Sequence, residues 1–585
     1  MPHEWGTPDV TSSPWDNRNS DIIVGIDLGT TNSLIGVFTN DGPSLVENAN
    51  DSHMTPSAVT LLEKDNIAVG DVAKHRLISH PDLSAARFKR FMGTNKIFKL
   101  GKTNYRAEEL SAMVLRSLKG DAERMLGQSV SRAVISVPAY FNDLQRKATF
   151  AAGRMAGLNV ERLINEPTAA ALAYGVDTDE DESLLILDLG GGTFDVSILE
   201  VFDGIMEVRS SAGDIMLGGE DFTDAIDADF REQLGDIGKS LSSEAAASLR
   251  HIAEQAKIAL GTIERLSPVY RHDQQEHTLE MTQDRFSEIA KPLLERLRRP
   301  IQRALGDAGM MTRDLDRVIL VGGATRMPIV RQAITRLMKT FPEHRLDPDK
   351  VIALGACVQS GLLARHAALE DRVMTDVSPF TLGIDSSRHG QGGQITTGHF
   401  VPIIERNMVI PVSRVDRFQK MHPEQTMVEI DIYQGESPRV DENVFLGKLK
   451  LHIGSGKIEE SGFDVRFTYD VSGILEVIAT VVSTGHEKRL VIEGNSGAMT
   501  EGEINERLMG LAALKVHPIE HSINRAAIER CKSLYENSLG DRRQLIEGML
   551  SDFEAIIARQ VPKEIETARK QLHENLDMLE RDDLL

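Results

Sequence analysis

One pattern occurs twice in this chain: an apolar strand, the triplet Asp-Leu-Gly, a turn of small polar residues and a second apolar strand. The first copy reads VGIDLGTTNSLIGVF from Val24, and the second reads LILDLGGGTFDVSIL from Leu185. The aspartates of the two copies, Asp27 and Asp188, lie far enough apart for each copy to belong to a whole α/β lobe. The repeat therefore predicts two related lobes with a cleft between them.

The turns of both copies suit the binding of phosphate. A carboxylate ends each first strand, glycines permit close approach of the backbone, and amides and hydroxyls can face phosphate oxygens. A single copy is explained equally well as a tight hairpin, but duplication with both aspartates retained favours a nucleotide clamp. A third glycine-rich turn, LVGGATRMP from Leu320, follows a strand and predicts a slot for a purine, although such turns are common.

The remaining organisation follows from hydrophobic periodicity. Strand and helix patterns alternate up to about residue 366, which indicates α/β layers. From Leu382 the apolar residues alternate with polar ones, as in Val428, Ile430 and Ile432, and a turn at Ser472 and Gly473 is expected to join two strands. These signals predict an antiparallel β-sandwich.

Helices are expected after the sandwich. Thr500 and Glu503 form a capping-box pattern at a predicted helix start. Farther on, Pro562 is expected to end or restart a helix. Helical spacing predicts packing, rather than a binding motif, for one apolar set: Leu545, Met549, Leu550, Phe553, Ile556 and Ile557.

Composition narrows the classes of partner. The chain has 585 residues, with 88 acidic and 66 basic side chains and a net charge of -22, which disfavours nucleic acid and anionic membranes as partners. Cys357 and Cys531 show no metal-ligand spacing, and no run approaches the roughly 18 to 20 apolar residues that span a bilayer. We therefore expect a soluble, cytoplasmic protein of several domains, by default a monomer.

Longer strings carry a family resemblance. VPAYFNDLQRKAT from Val137, INEPTAAALAYG from Ile164, LGGEDF from Leu217 and GEINERL from Gly502 resemble the 70-kilodalton heat-shock chaperones, the DnaK-like family. The resemblance runs from about residue 21 to at least 515. It implies an actin-like α/β ATPase with two duplicated lobes, an antiparallel β-sandwich and a short α-helical lid. The implied boundaries are 1–20 for a flexible extension, 21–370 for the ATPase domain, 371–381 for the linker, 382–498 for the peptide-binding sandwich and 499–585 for the lid.

The resemblance also implies an ATPase site that uses ATP or ADP and magnesium, with potassium as a further candidate. Implied catalytic residues are Lys89, Glu166, Thr193 and Asp195, and implied magnesium ligands, largely through water, are Asp27, Glu166 and Asp188. Implied nucleotide contacts are Asp27, Gly29, Thr30, Thr31, Asn32, Asp188, Gly190, Gly191, Gly192, Gly218, Gly219, Glu254, Lys257, Gly322, Gly323, Arg326 and Asp349. By composition alone, Lys89 reads as a solvated surface lysine.

Further residues are implied for clients and coupling. An extended apolar client segment is expected at Ile384, Ile404, Phe418, Met421, Val428 and Ile430, although alternating apolar residues are also ordinary sandwich core. Pro138 and Arg146 are implied to relay the nucleotide state, and Arg162, Asn165 and Asp376 to meet the J-domain of a co-chaperone. Pro138 also reads simply as a proline at a strand end.

The chain departs from the family pattern in several places. Its linker, Asp371-Arg-Val-Met-Thr-Asp-Val377, lacks a run of leucines, so altered coupling is expected. Met421 stands where relatives carry a small residue, and Ser387 where they carry a larger one. The lid is short, and segments 99–105 and 271–281 look abbreviated where relatives meet exchange factors, which leads to the hypothesis that nucleotide exchanges without such a factor. The pattern most resembles the bacterial HscC-like branch.

Two other functions are compatible with parts of this pattern. A small-molecule kinase on the same ATPase fold would explain the phosphate loops but not residues 382–585. A scaffold that binds a dedicated partner without cycling would fit the unusual linker, but retention of the implied catalytic residues argues against it. The chain is therefore interpreted as an ATP-driven chaperone for unfolded or native client polypeptides.

Overall fold

The computed structural model describes residues 22–62, 66–175, 181–202, 205–343, 345–366, 369, 373–389, 395–454, 462–471, 473–492, 522–536, 538 and 540–582. The predicted extension 1–20, the capping box at Thr500 and Glu503, the GEINERL string and Ser472 lie outside these residues. None of the helices in the described ranges is long and apolar enough to cross a membrane.

The first copy of the repeat lies in a six-stranded sheet. Strands β1 to β11 span Ile23–Asp27, Asn32–Thr39, Gly42–Leu45, Thr55–Pro56, Ala58–Leu61, Ile67–Val69, Ser84–Ala86, Phe98–Leu100, Thr103–Tyr105, Arg132–Val137 and Asn159–Asn165. Helices α1 to α4 span Asp71–Ser79, Ala107–Leu126, Asp143–Met155 and Glu166–Gly175. The sheet order is β11-β10-β1-β2-β3, with β4 paired to β2. β1 pairs in parallel with β10 and antiparallel with β2.

The second copy lies in another six-stranded sheet. Strands β12 to β20 span Glu182–Leu189, Phe194–Phe202, Ile205–Asp214, Arg265–Leu266, Val269–His272, Gln275–Thr278, Met281–Thr282, Arg317–Val321 and Val373–Val377. Helices α5 to α11 span Gly219–Gln233, Asp236–Lys239, Ser243–Ala259, Gln283–Ile289, Lys291–Ala308, Pro328–Met338 and Val351–Leu363. β12 pairs in parallel with β19 and antiparallel with β13, the same arrangement as around β1.

Helices α4 and α11 pack between the two sheets in one apolar cluster that includes Ile23, Ile186 and Val358. Close packing there requires a glycine, because a Cβ on Gly355 would lie 1.7 Å from the carbonyl oxygen of Ala169. The two repeat copies are thereby held at a fixed spacing, with their Asp-Leu-Gly turns at the same end of the sheets.

The period-two region forms two four-stranded antiparallel sheets, as predicted. Strands β21 to β29 span Leu382–His389, Ile395–Ile404, Val409–Ile410, Val412–Phe418, Met427–Gln434, Val444–His452, Phe463–Tyr469, Leu475–Val481 and Glu487–Ile492. Their orders are β22-β21-β25-β26 and β24-β27-β28-β29. Both sheets contribute to one apolar core that contains Ile432, Leu451 and Phe467. The predicted hairpin is present, since β27 and β28 pair antiparallel from Tyr469 with Leu475.

Strand β20 joins the α/β part to the sandwich. This strand comes from the predicted linker, and it pairs in parallel with β14 and antiparallel with β23. The second six-stranded sheet therefore has the order β19-β12-β13-β14-β20-β23 and ends on a strand of the sandwich region.

Three described helices follow the sandwich: α12, α13 and α14, which span Ser522–Glu536, Gly540–Ala558 and Pro562–Asp582. Pro562 begins α14, as predicted, since the first turn of a helix needs no amide there. The prediction for Leu545 is wrong: it is half exposed, whereas Ile546, Phe553 and Ile557 are buried. Residues 546, 553 and 557 share the face of α13 that packs on α12 and α14, and position 545 is rotated by about 100° from that face.

This correction predicts unequal effects of two neighbouring substitutions. Ile546→Ala should destabilise the three-helix unit by about 2–4 kcal/mol, because it opens a cavity among buried side chains. Leu545→Ala should cost less than about 0.5 kcal/mol. Hydrogen exchange of amides in residues 522–582 of the full chain measures both. Equal loss of protection in the two variants would contradict the observed helix face.

Candidate nucleotide site and domain interface

A cavity of about 500 Å³ opens where the two Asp-Leu-Gly turns meet. The third glycine-rich turn closes its far end through Gly322 and Gly323, and Glu254 and Lys257 of α7 form one wall. Most of the predicted nucleotide and catalytic residues line it: Asp27, Gly29, Thr30, Thr31, Asn32, Lys89, Glu166, Asp188, Gly190, Gly191, Thr193, Gly219, Glu254, Lys257, Gly322, Gly323, Arg326 and Asp349. Gly192, Gly218 and Asp195 lie outside the lining.

The two phosphate loops touch each other through residues that have no room for a side chain. A Cβ on Gly191 would lie 2.1 Å from Thr31 Oγ1, and one on Gly192 would lie 2.7 Å from Thr30 Oγ1. Gly218 packs behind them, since its Cβ would lie 2.5 Å from the carbonyl carbon of Gly191. Gly192 and Gly218 therefore support the loop that bears Thr193, and the hydroxyls of Thr30 and Thr31 stay at the cavity.

Composition alone suggested that Lys89 is a solvated surface lysine, but the structure shows that it is buried. It is 3% exposed, on a short 3-10 helix over Phe88–Phe91, and its Nζ lies 2.5 Å from Glu166 Oε1. Burial alone lowers the pKa of Lys89, but the charges of Glu166 and Asp27 outweigh it and the net shift is upward. Lys89 therefore carries a fixed positive charge inside the cleft.

Arg90 anchors the helix that carries Lys89 across the cleft. Its Nη2 donates to both carboxylate oxygens of Asp221, at 2.9 and 3.1 Å, and Asp221 lies in α5 of the other half. Sequence reasoning missed this ion pair, because the two residues are far apart in the chain, although Asp221 lies in the LGGEDF string. This charge-assisted contact joins the helix that carries Lys89 to α5, so Arg90 helps to set the position of Lys89.

Three buried aspartates surround this lysine. Burial, reinforced by Glu166, raises the pKa of Asp27 to about 6 and that of Asp195 to about 8, and it raises the pKa of Asp188 well above its usual range. Ser136 donates to Asp27 at 2.8 Å, and the Tyr140 amide donates to Asp195 at 3.2 Å. Within the described ranges, Asp188 Oδ1 and Asp195 Oδ2 are buried without a hydrogen-bond partner.

These carboxylates fit a hydrated magnesium ion. One lysine does not neutralise the four acidic groups, and two buried oxygens lack donors, so a cation with bound water would satisfy both charge and hydrogen bonding. In the described part of the chain, no three His, Cys, Asp or Glu side chains are arranged to hold a bare metal ion. Ligation through water, with Asp27, Glu166 and Asp188 as the outer ligands, is the form that fits.

Polar contacts order the wall of the cavity beyond the phosphate loops. Lys257 Nζ donates to the Gly219 carbonyl at 2.9 Å and pairs with Glu254 at 2.7 Å. Glu254 also accepts from the hydroxyl of Thr223. Arg326 is held by Asp347 and Asp349, at 2.6 and 2.8 Å.

Apolar residues that sequence reasoning missed complete this wall. Ile258, Met327 and Ile352 line the same cavity, and Ile258 is 60% exposed. An exposed isoleucine in the same cavity as the ion-paired side chains Lys257 and Arg326 could pack against the face of a planar base. Its position on α7, one residue after Lys257, is the only signal in the sequence that would have indicated it.

The five residues predicted for coupling come together next to strand β20. Pro138 follows β10 directly. Arg146 Nη2 donates to Asn165 Oδ1 at 2.6 Å and to the Ala139 carbonyl at 3.2 Å. Asn165 in turn donates to both carboxylate oxygens of Asp376, at 2.9 and 3.0 Å, and the charge of Arg162 lies close to the same carboxylate. A continuous polar chain thus runs from α3 to β20.

The sandwich meets the α/β part through further polar contacts that no motif indicated. Arg406 donates from Nε and Nη2 to the two oxygens of Asp307, each at 2.8 Å, and Asn407 donates to Asp307 at 2.9 Å. Gln434 Oε1 accepts from the amide of Asp143 at 2.9 Å, at the start of α3. The interface therefore rests on charge-assisted and directed hydrogen bonds.

The predicted client-contact residues divide into two groups. Ile384, Ile404 and Ile430 are buried in the sandwich core, at 3%, 0% and 1% exposure. Phe418, Met421 and Val428 are only partly buried. Phe418 stacks on Phe463 at a ring-centroid distance of 5.9 Å. The roles of all six residues stay predictions.

The fold and the cleft define an α/β domain with a cavity between two glycine-rich loops, joined by a shared strand to a β-sandwich. The family model described as Hsp70 protein matches residues 23–100 and 95–584, and the chain belongs to the Hsp70 family. Membership implies an ATP-dependent chaperone: members are ATPases that bind ATP or ADP with magnesium and act on client polypeptides with co-chaperones.

The buried charges predict that Lys89→Met destabilises the nucleotide-free protein by roughly 3–5 kcal/mol, because Glu166 loses its buried ion-pair partner. Lys96→Met is the matched control, since Lys96 is exposed and its loss should cost about 0.5 kcal/mol or less. Calorimetric unfolding of the full chain measures both.

The loss of stability in Lys89→Met is expected to depend on pH. Because the pKa of Asp27 is raised, the folded state keeps a proton that the unfolded chain loses between about pH 4 and pH 6, and the free energy of unfolding falls as pH rises through this window. Loss of Lys89 raises that pKa further, so the deficit should be larger at about pH 8 than at about pH 5. A deficit that shrinks with rising pH would contradict the charge account.

Proposed function

We propose that this protein binds and releases extended apolar segments of client polypeptides in a cycle driven by ATP hydrolysis and stimulated by a J-domain co-chaperone. Its α/β part would be an actin-like ATPase with two duplicated lobes, and helices α12 to α14 would belong to a lid over the sandwich. The domain boundaries proposed from the sequence, 21–370, 371–381, 382–498 and 499–585, are retained with these roles.

The observation that carries the proposal is the position of β20. This strand pairs with β14, whose sheet also contains β12 and Asp188, and it pairs with β23 beside the sandwich. A shift of the sheet around the phosphate loops would therefore be transmitted through backbone hydrogen bonds. Such pairing depends little on side chains, so the absence of leucines in 371–377 is compatible with coupling.

The cleft supports hydrolysis through fixed charges. Lys89 would hold the attacking water and stabilise the negative charge that develops on the phosphoryl group. Thr193 and Asp195 would orient that water, and Thr30 and Thr31 would bind phosphate oxygens. Magnesium, when bound, would supply a counter-charge to the phosphates, and Asp27, Glu166 and Asp188 would accept hydrogen bonds from its water ligands. Potassium is a further candidate ion.

The chain Arg146, Asn165, Asp376 supports a site of co-chaperone action. A J-domain that contacts Arg162, Asn165 or Asp376 would act on the hydrogen bonds that hold Asp376 within β20. Pro138, which directly follows β10, would report the state of the cleft. Nucleotide state and co-chaperone would thus bias the same docked arrangement.

Several finer assignments accompany the proposal. Client segments would first contact Phe418, Met421 and Val428, because these are the partly exposed members of the six predicted client-contact residues. Ile384, Ile404 and Ile430 would join them only after the sandwich opens. A dispensable exchange factor, a monomeric state, cytoplasmic action and kinship with the HscC-like branch remain proposals from the sequence.

Hydrolysis tests the catalytic assignment. The purified chain should hydrolyse ATP slowly, unstructured apolar peptides should accelerate it, and Lys89→Met should lower kcat by about a hundredfold or more. A steady-state phosphate-release assay measures all three, with Lys96→Met as the control. Turnover indifferent to every peptide would favour the scaffold interpretation, and unchanged turnover in Lys89→Met would contradict the mechanism.

Loss of the Asp307 contacts tests the docked interface. Asp307→Ala leaves Arg406 and Asn407 without their shared acceptor and should shift the docked arrangement by about 1–3 kcal/mol towards the undocked one. Amides of residues 373–377 should then exchange faster in the presence of ATP. Asp464→Ala is a matched control, because it removes a similar but exposed ion pair with Arg417 inside the sandwich. Equal exchange in both variants would contradict a coupling role for Asp307.

A further inference from the structure

One arginine of the sandwich is buried with most of its guanidinium unsatisfied. Arg414 in β24 is 5% exposed, and its buried Nε and Nη1 atoms have no hydrogen-bond partner among the residues that the structure describes. No ion pair with it is found among the described carboxylates. Because a buried charge without acceptors is costly, an unsatisfied guanidinium in a folded protein indicates a missing acceptor.

The surroundings of Arg414 do not supply that acceptor. Asp416, Glu405 and Glu564 are the nearest charges, and all three are exposed to solvent. Burial lowers the pKa of Arg414 to about 10, and these distant carboxylates only partly offset the shift. The side chain remains charged at neutral pH, so it retains its need for a hydrogen-bond acceptor.

The strand that carries Arg414 has an open edge. β24 is an end strand of the sheet β24-β27-β28-β29. The connection between α13 and α14 covers part of this edge: Gln560 Nε2 donates to the Val415 carbonyl at 3.1 Å. Gln560 has φ of 54°, the left-handed region that costs a non-glycine residue energy. The side-chain amide of Gln560 thus donates to a backbone carbonyl that could otherwise accept a hydrogen bond from an added strand.

We propose that the edge of β24 receives an extended client segment carrying a carboxylate, which pairs with Arg414 once the α13–α14 connection moves away. A backbone amide of the client would replace Gln560 at the Val415 carbonyl, and the carboxylate would accept from the guanidinium. The inference rests on the proposed function and specifies its client class: apolar segments with a nearby acidic group, not apolar segments alone.

Strand geometry fixes the spacing within such a client. Arg414 and Phe418 lie four residues apart in β24 and on the same face, opposite Phe467 and Phe463 of β27. A client strand added to this edge would run alongside β24 with the same rise of about 3.3 Å per residue. A carboxylate four residues from the apolar side chain at Phe418 would then reach Arg414, whereas one three residues away would point to the opposite face.

Binding of labelled peptides to the full chain with ADP tests the proposal. The peptides contain one leucine among serine, threonine and valine, end in an amide, and carry either Asp or Asn four residues from the leucine. The Asp peptide should bind about tenfold more tightly than the Asn peptide, as expected for a charge-assisted hydrogen bond. A second pair of peptides carries the carboxylate at the C-terminus instead of in a side chain. Comparison of the two pairs shows whether the site binds a side-chain carboxylate or a terminal one.

Two comparisons decide whether Arg414 is the receptor. Arg414→Met should abolish the preference for Asp, whereas Arg417→Met should keep it, because Arg417 is exposed and already pairs with Asp464. In the unaltered protein, Asp at three residues from the leucine should bind like Asn. This spacing series needs no variant, so it decides the question even if Arg414→Met folds poorly.

The failures are distinguishable. Equal binding of the Asp and Asn peptides, or a preference that survives Arg414→Met, would overturn this inference while leaving ATP-dependent peptide release intact. If neither peptide binds in any nucleotide state, the proposed chaperone function itself fails.

Discussion

The backbone pairing of β20 is the constraint on which the arrangement of this molecule depends. Val373–Val377 pairs with β14 on one side and with β23 on the other, so one short strand belongs to the sheet of the phosphate cleft and to the sandwich region. Asp376 within it accepts from Asn165 and adds a polar connection to α3. Any change that removes this strand from the sheet would release the sandwich contacts together, since Arg406, Gln434 and β23 all lie on the same side.

In the cleft, the constraint is the burial of several negative charges close together. Asp27, Asp188 and Asp195 are held in a buried cluster that has a single lysine, and burial raises the pKa of each. The free energy of holding them comes from the apolar packing around α4 and α11, which fixes the spacing of the two sheets. A hydrated cation bound with the nucleotide would offset the negative charge of this cluster, so the empty site favours the binding of a cation.

Local patterns in the sequence were sufficient for the elements and the cleft. The duplicated Asp-Leu-Gly turns predicted two loops that do face each other, and period-two alternation predicted the two sheets of the sandwich. Contacts between distant segments were beyond such patterns: Asp307 with Arg406, Arg90 with Asp221, and the burial of Arg414 depend on the tertiary arrangement. The wrong prediction for Leu545 has a local cause. Helical spacing shows which residues share a face of a helix, but it does not show which face packs on the neighbouring helices.

The polar interface and Arg414 together suit a protein whose parts separate and rejoin. An interface of apolar side chains would release a large free energy on docking and would resist reversal, whereas each charge-assisted contact here contributes about 1–3 kcal/mol and is exchanged for water on release. The guanidinium of Arg414 acts in the same direction, because the burial of its Nε and Nη1 has a desolvation cost that no acceptor among the described residues offsets. The docked helical unit is thus held less firmly than its contacts alone would suggest, and a client that supplies the missing acceptor would gain the free energy that the connection cannot.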